Sequence, residues 1–313
     1  MKKKILVLCG GVGGAKLAYG LSKNLYPEEV VFLVNTGDDF NLYNLYISPD
    51  LDTVMYTLAG MNDPDKGWGL KDETWNNLNR LKKFGVDTWF QLGDKDLATH
   101  IKRTQLINEG KLLSEVTESL CSSLHVKYKI LPMSETVVST KVKTNQGELS
   151  FQEYFVKNKC VPKVKEIKFQ GDKEAVVPLY IKEQIKRNGF RGVIICPSNP
   201  FLSVDPILSI KEIKDFLIKS NIPKLAVSPI INNKSVKGPT VKIMKEMGIN
   251  PSIESIAKHY EGVIDILLVD AIDKNDLPKN MDIQFNFDSI LMDSEKKKVS
   301  LAKVCLEKLE KIT

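Results

Sequence analysis

The first 34 residues restrict the possible folds more than any other part of the chain. Lys3–Cys9 reads KKILVLC, a short apolar β run, and Gly10-Gly11-Val12-Gly13-Gly14 follows it directly. A helical pattern starts at Ala15, and a second apolar run, Val30–Val34, comes after it. Strand, glycine loop, helix and strand in so short a span form the opening βαβ unit of a doubly wound sheet. The predicted fold is α/β: a mostly parallel, Rossmann-like sheet in three layers. Glycines in the first turn let the backbone approach a phosphate and aim its amides at it. The loop nevertheless matches neither familiar phosphate-binding pattern. Lys16 stands where Gly-x-Gly-x-x-Gly needs its last glycine, and Leu17 stands where a Walker A loop needs Ser or Thr. Two readings stay open: a phosphate cradle, or a glycine turn needed only for close strand–helix packing.

Asn35–Thr53 reads NTGDDFNLYNLYISPDLDT and carries Asp38, Asp39, Asp50 and Asp52 in two pairs. Each pair follows a turn signal, Thr-Gly or Ser-Pro. The stretch lies just past the carboxyl end of a buried strand, where open α/β sheets bind ligands. Paired carboxylates there hold a cation, share a proton or grip sugar hydroxyls. A cap on the following helix, Leu51–Leu58, accounts for Asp50 or Asp52 but not for all four acids. Mg²⁺ suits such a site, because it is a hard cation held by few protein oxygens plus substrate phosphates. No Gly-x-Ser-x-Gly or Cys–His arrangement supplies a covalent nucleophile, which favours direct displacement at phosphorus.

Beyond this edge, Trp68 and Trp75 lie in a segment rich in tryptophan and charge, and read equally as core residues or as stacking surfaces. Helical patterns run over Asn76–Phe84, Leu97–Asn108 and Leu113–Ser123. Asp94-Lys95-Asp96 reads either as an acidic helix start or as a place where Lys95 reaches a ligand oxygen, and His100 reads as a structural histidine. Residues 127–170 look β-rich, with a hairpin turning at Thr144–Gly147. The chain is read as one Rossmann-like domain over residues 1–313, with an α+β subdomain inserted at about 60–170 that caps the acidic edge. The α/β pattern then resumes: helix Val176–Arg187, strand Gly192–Cys196, the turn Pro197-Ser198-Asn199-Pro200, helix Leu208–Ser220 and strand Lys224–Ser228. Ser198 and Asn199 read as ligand contacts or as part of a rigid turn between prolines. Lys234 and Lys237 precede Gly238-Pro239 at the start of a helix, Thr240–Met247, a reasonable anion site. A core strand at 263–269 and a last helix, Val299–Leu309, complete the pattern.

Composition narrows the class without deciding it. Hydrophobic residues make up 42% and charged residues 27% of the chain, ordinary values for a globular protein. The net charge of +6 comes from scattered lysines, and no DNA- or RNA-binding signature is present. Five widely spaced cysteines show no CxxC pattern, so neither a disulfide framework nor a zinc ribbon is indicated. No run reaches the roughly 18 apolar residues of a membrane span, and Ile5–Cys9 is too short for a signal peptide. The expected location is the cytoplasm.

Six motifs occur in order: Gly-Gly-Val-Gly-Gly-Ala-Lys at 10–16, Asn-Thr-Gly-Asp-Asp at 35–39, Ser-Pro-Asp-Leu-Asp-Thr at 48–53, Leu-Gly-Asp-Lys-Asp-Leu-Ala-Thr-His at 92–100, Pro-Ser-Asn-Pro at 197–200 and Ser-Pro-Ile-Ile at 228–231. In this combination the chain closely resembles the 2-phospho-L-lactate transferases of deazaflavin coenzyme (factor 420) biosynthesis. The resemblance implies an Mg²⁺-dependent transfer of a phospholactyl or phosphoenolpyruvyl group from a guanosine-diphosphate-linked donor to 7,8-didemethyl-8-hydroxy-5-deazariboflavin, releasing GMP. Carried over by motif, Gly11, Gly13, Gly14, Lys16, Ser198 and Asn199 would line the donor's nucleotide and phosphates. Asp38, Asp39 and Asp50 would hold the metal. Asp50 and Asp52 would be the catalytic acids, with Asp52 and Lys95 meeting the acceptor. Lys95 replaces an arginine at that position, keeping the charge and losing the bidentate fork. A homodimer is expected from the resemblance. Two alternatives compete with it. A non-catalytic nucleotide-sugar regulator of the same fold would lack the Pro-Asp-Leu-Asp-Thr run, and an NAD-dependent dehydrogenase is disfavoured by the missing glycine and the surplus of carboxylates.

Overall fold

The computed structural model describes residues 2–275, 277–278 and 281–311. Strand β1 (Lys4–Cys9), helix α1 (Gly11–Ser22) and strand β2 (Val30–Val34) form the expected parallel βαβ unit. All five residues of β2 are buried, which is why the run is continuously apolar rather than alternating. The chain then makes a small hairpin, β3 (Phe40–Leu42) and β4 (Leu45–Ile47), that no sequence pattern foretells. It turns at Tyr43 and Asn44, both left-handed.

Helices α2 (Pro49–Leu58), α3 (Asn76–Lys83), α4 (Asp94–Asn108) and α5 (Leu113–Ser123) follow. Strand β5 (Lys129–Pro132) then pairs with β2, so the segment 60–170 gives one strand back to the central sheet. Strands β6 (Ser139–Thr144), β7 (Gly147–Ser150) and β8 (Val164–Gln170) make a separate antiparallel sheet of order β7-β6-β8, with the expected hairpin between β6 and β7.

Helix α6 (Leu179–Lys186) starts after Pro178, three residues later than its apolar pattern suggests, and leads to β9 (Phe190–Ile195) beside β1. The single helix expected at 208–220 is two, α7 (Asp205–Ser209) and α8 (Lys211–Lys219), broken at an extended Ile210. Then come β10 (Lys224–Val227), the short hairpin β11 (Ile230–Ile231) and β12 (Lys234–Ser235), α9 (Thr240–Glu246) and α10 (Ile253–His259). Strands β13 (Ile266–Asp270) and β14 (Gln284–Asp288) and helix α11 (Glu295–Glu310) finish the chain.

The central sheet is parallel throughout, in the order β14-β13-β10-β9-β1-β2-β5. Successive strand residues feed opposite faces, as a pleated strand requires. Ile5, Val7, Val30 and Phe32 pack with Leu17 and Leu21 of α1, Val54 of α2, Val116 of α5 and Leu301 of α11. Leu6, Leu8, Val31 and Leu33 pack on the other face with Ile181, Ile213, Ile243 and Ile256 of the intervening helices. This is the three-layer arrangement. From β1 the chain runs outward through β2 to β5, and after the antiparallel sheet it returns on the other side of β1 as β9. The strand order therefore reverses between β1 and β9, and a crevice opens there at the carboxyl ends of the strands.

Candidate functional site

A cavity of about 700 Å³ occupies that crevice. The glycine loop and the Pro197–Asn199 turn form its floor, carboxylates one wall, and Val236–Thr240 with Ile290–Asp293 another. Aromatic rings of Trp68, Trp89, Phe90, Phe151 and Phe155 close the acidic end. Phe151 and Phe155 stack with centroids 5.2 Å apart, and Trp89 and Phe90 meet edge to face. Trp75 lies outside this lining, while Lys66 sits over both Trp68 and Trp75.

Each glycine has its own reason to be one. A Cβ on Gly13 would run into the carbonyl oxygen of Pro197, and one on Gly10 would come within 2.6 Å of Asp50 Oδ2. Gly14 sits 3.0 Å from Cys9 and Ser198 by the same measure. Gly11 alone adopts a left-handed φ, +62°, with open space around it, and it lines the cavity. Close packing thus accounts for Gly13 and Gly14; Gly11 and Gly13 line the cavity, and Gly14 does not. Lys16 lines the cavity and donates to the Met292 carbonyl at 3.0 Å. Burial, then the nearby Lys237, lowers its pKa. Lys237 also lines the cavity and donates to the Lys66 carbonyl at 2.8 Å.

Ser198 and Asn199 divide their work. The Ser198 hydroxyl is spent on Gly10, so it braces the glycine loop rather than facing a ligand freely. Asn199 Oδ1 accepts from the Phe201 and Leu202 amides, while its buried Nδ2 has no partner among the described residues and the residue lines the cavity.

The four acids are not equivalent. Asn35 stands between two of them: its Nδ2 donates to Asp38 Oδ1 at 3.1 Å and to Asp50 Oδ2 at 2.9 Å. Both line the cavity. Burial raises the Asp50 pKa to about 6, with Asn35 and the Gly11 amide pulling the other way. Burial and then the charge of Asp50 push Asp38 well above the ordinary carboxylate range. Asp39, expected with them, does not line the cavity. Ser48 donates to its Oδ2 at 2.7 Å, and among the described residues its Oδ1 is buried without a hydrogen-bond partner.

Asp52 faces the cavity from α2 and is held from behind by Arg103 of α4, which is buried and grips both carboxylate oxygens. Burial raises the Asp52 pKa, and Arg103 and then His100 oppose that push. His100 Nδ1 lies 3.2 Å from Arg103 Nη1. A guanidinium can only donate, so Nδ1 must accept and the imidazole proton sits on Nε2. Nε2 is 3.1 Å from Asp96 Oδ2, without the alignment of a hydrogen bond. Tyr56 completes the group by donating to Asp96 Oδ1 at 2.6 Å. Arg103 is a site residue that the motifs do not point to. The available signal is spacing: Asp96, His100 and Arg103 stand at i, i+4 and i+7, one face of a helix.

Lys95 lies away from the cavity. It is exposed, and its ammonium donates to the Lys71 carbonyl at 3.0 Å. Asp94 works as a helix cap, but for a neighbouring helix: it accepts from the amides of Asn76 and Asn77 at the start of α3. Thr74 and those amides hold its pKa low. Lys234 does not line the cavity either. Among the described residues, no helix is long and apolar enough to cross a membrane.

A glycine-floored crevice at the sheet's reversal point, with buried carboxylates at one end, defines an α/β protein of the doubly wound class. Residues 5–309 match the family model of 2-phospho-L-lactate transferase CofD. The chain is 38% identical over 277 residues to the phosphoenolpyruvate transferase of Streptomyces griseus, covering 86% of each chain. It is 36% identical over 316 residues to the 2-phospho-L-lactate transferase of Methanopyrus kandleri, covering 100% of this chain and 99% of that one. A crystal structure of a member of the UPF0052 family from Bacillus halodurans shares the fold, with a TM-score of 0.61 at 15% identity over 98% of this chain and 99% of that one. The protein belongs to the 2-phospho-L-lactate transferase CofD family.

Proposed function

We propose that this protein is a cytoplasmic, homodimeric, Mg²⁺-dependent transferase of deazaflavin coenzyme biosynthesis. It moves a phospholactyl or phosphoenolpyruvyl group from a guanosine-diphosphate-linked donor to 7,8-didemethyl-8-hydroxy-5-deazariboflavin. Relatives named for each of the two groups support the reading. The oxygen of the acceptor's terminal ribityl hydroxyl forms a bond to the donor's β-phosphorus. The bond from that phosphorus to the oxygen bridging it to the α-phosphate breaks, and GMP leaves with that oxygen. The hydroxyl proton passes to one of the two catalytic carboxylates, Asp50 or Asp52.

The observation that carries this reading is the contact between the glycine loop and the acids. The Gly11 amide opens α1 and favours the charged form of Asp50, whose Oδ2 lies 2.6 Å from where a Cβ on Gly10 would stand. A phosphate at that helix start would meet a buried carboxylate, and two anions share such a place only with a cation between them. Asp38 and Asp50, oxygen ligands on either side of Asn35, fit a hard divalent ion, with Asp39 behind them. When bound, Mg²⁺ would neutralise charge developing on the transferring phosphoryl group. Gly11, Lys16 and the Asn199 side-chain amide would orient the donor, and the aromatic end would take the flavin-like ring. The test is incubation with the deazaflavin, Mg²⁺ and each guanylylated donor, followed by mass spectrometry. One GMP per phosphodiester product supports transfer. Tight nucleotide binding without turnover would refute it.

A further inference from the structure

Arg103 is 1% exposed, and among the described residues its Nε is buried without a hydrogen-bond partner. Burying an arginine with a donor left unused costs stability, so this side chain is poorly explained as a stabilising device. What it does make are two contacts to Asp52 and one to His100. Asp52, Asp96 and His100 offer ligand atoms within 4.8 Å of one another, a spacing that suits a metal ion. Arg103 has already met that group's demands. Its charge neutralises one of the two carboxylates, and its Nη1 proton occupies the imidazole lone pair that a metal would need.

We propose that Arg103 is a positioning residue that substitutes for a metal ion among Asp52, Asp96 and His100. It holds both oxygens of Asp52 in place at the cavity wall, where Asp52 accepts the hydrogen bond of the acceptor's alcohol. The divalent ion is thereby confined to Asp38 and Asp50. The two carboxylate groups then serve different substrates, the first the donor's phosphates and the second the acceptor. This assignment rests on the transferase reading, but half of its test does not depend on turnover.

The first arm is titration with Co²⁺, whose visible absorption is intense at a low-coordinate, histidine-ligated site and weak with oxygen ligands alone. Wild type should give only the weak signal. Arg103→Met, checked for a cooperative melt, should gain one equivalent of the intense signal and lose it again on adding His100→Ala. An intense signal in wild type that His100→Ala removes, or no gain in Arg103→Met, overturns the substitution. The second arm is kinetic. Arg103→Lys keeps the charge and loses the fork, so it should raise the acceptor KM about tenfold or more while GDP affinity with Mg²⁺ stays within about twofold. Equal loss toward both substrates would make Arg103 merely structural. Absence of turnover in wild type would sink the transferase reading and still leave the cobalt result standing.

Discussion

Ser198 and Gly10 are joined in both directions: the hydroxyl donates to the Gly10 carbonyl at 2.7 Å and accepts from the Gly10 amide at 3.2 Å. The two residues are 188 positions apart and follow the ends of the neighbouring strands β1 and β9. One side chain therefore ties the glycine loop to the opposite lip of the crevice. Ser198→Ala takes from the buried Gly10 amide its acceptor and from the Gly10 carbonyl one donor, which costs about 1–3 kcal/mol. It should lower the melting temperature and weaken GDP binding, both measurable in one thermal-shift titration. An unchanged GDP affinity would mean that the loop holds its shape without this brace.

The glycines can be ranked. Gly13 packs against the Pro197 carbonyl, which is backbone and cannot swing aside. Gly13→Ala must push the two lips of the crevice apart, at about 2–3 kcal/mol. At Gly11 an added Cβ would have only Ser203 Oγ near it, at 3.9 Å. Gly11→Ala therefore costs only what its left-handed backbone imposes, about 1 kcal/mol. Urea unfolding of the two variants should reproduce this order. The reverse order would show that backbone conformation, not close approach, dictates the loop.

These cases show which features are legible in the sequence. The βαβ opening is readable because a buried parallel strand is an unbroken apolar run and Val30–Val34 is one. β14 is not, because QFNFD at its edge of the sheet is only half-buried and carries polar residues. α10, seven residues long, is too short to show a periodicity. The acidic stretch announces a site, yet its division is hidden. Asp39 is turned onto Ser48, and Asp52 is set by an arginine 51 positions further on. Local pattern supplies the ingredients of a cluster; which carboxylate meets which partner is decided by α4 docking against α2, a tertiary event.

Lys95 tests the limits of transfer by motif. Its side chain is exposed and bonded to the Lys71 carbonyl, outside the cavity. An exposed lysine of this kind contributes little to stability, within about 0.5 kcal/mol. Lys95→Ala should change turnover less than about threefold, whereas Asp52→Ala should lose transfer by a factor of about a hundred or more and destabilise the fold by about 3–5 kcal/mol, because it leaves the buried Arg103 without its counter-charge. A selective rise of the acceptor KM in Lys95→Ala would return this residue to the acceptor site and require the start of α4 to move toward the cavity.

Asp50 makes the metal-free protein pH-sensitive in a definite direction. Its pKa is about 6 in the folded protein against a reference of 3.8. A carboxyl raised on folding favours the folded state fully below its unfolded pKa, and that contribution is lost as pH rises through the folded value. Ionising Asp50 at neutral pH therefore costs on the order of 2–3 kcal/mol in the absence of a cation. Asp50→Asn should be more stable than wild type in EDTA at about pH 7.5, and the gap should close as the pH falls toward about 4. Adding Mg²⁺ at neutral pH should reverse the ranking, because an ion that binds only the folded wild type stabilises it by mass action while the variant lacks the ligand. Urea melts at the two pH values, with and without Mg²⁺, check all three expectations. A gap that ignores both pH and Mg²⁺ would remove Asp50 from the cation site and leave the glycine loop's anion pocket facing an acid that nothing neutralises.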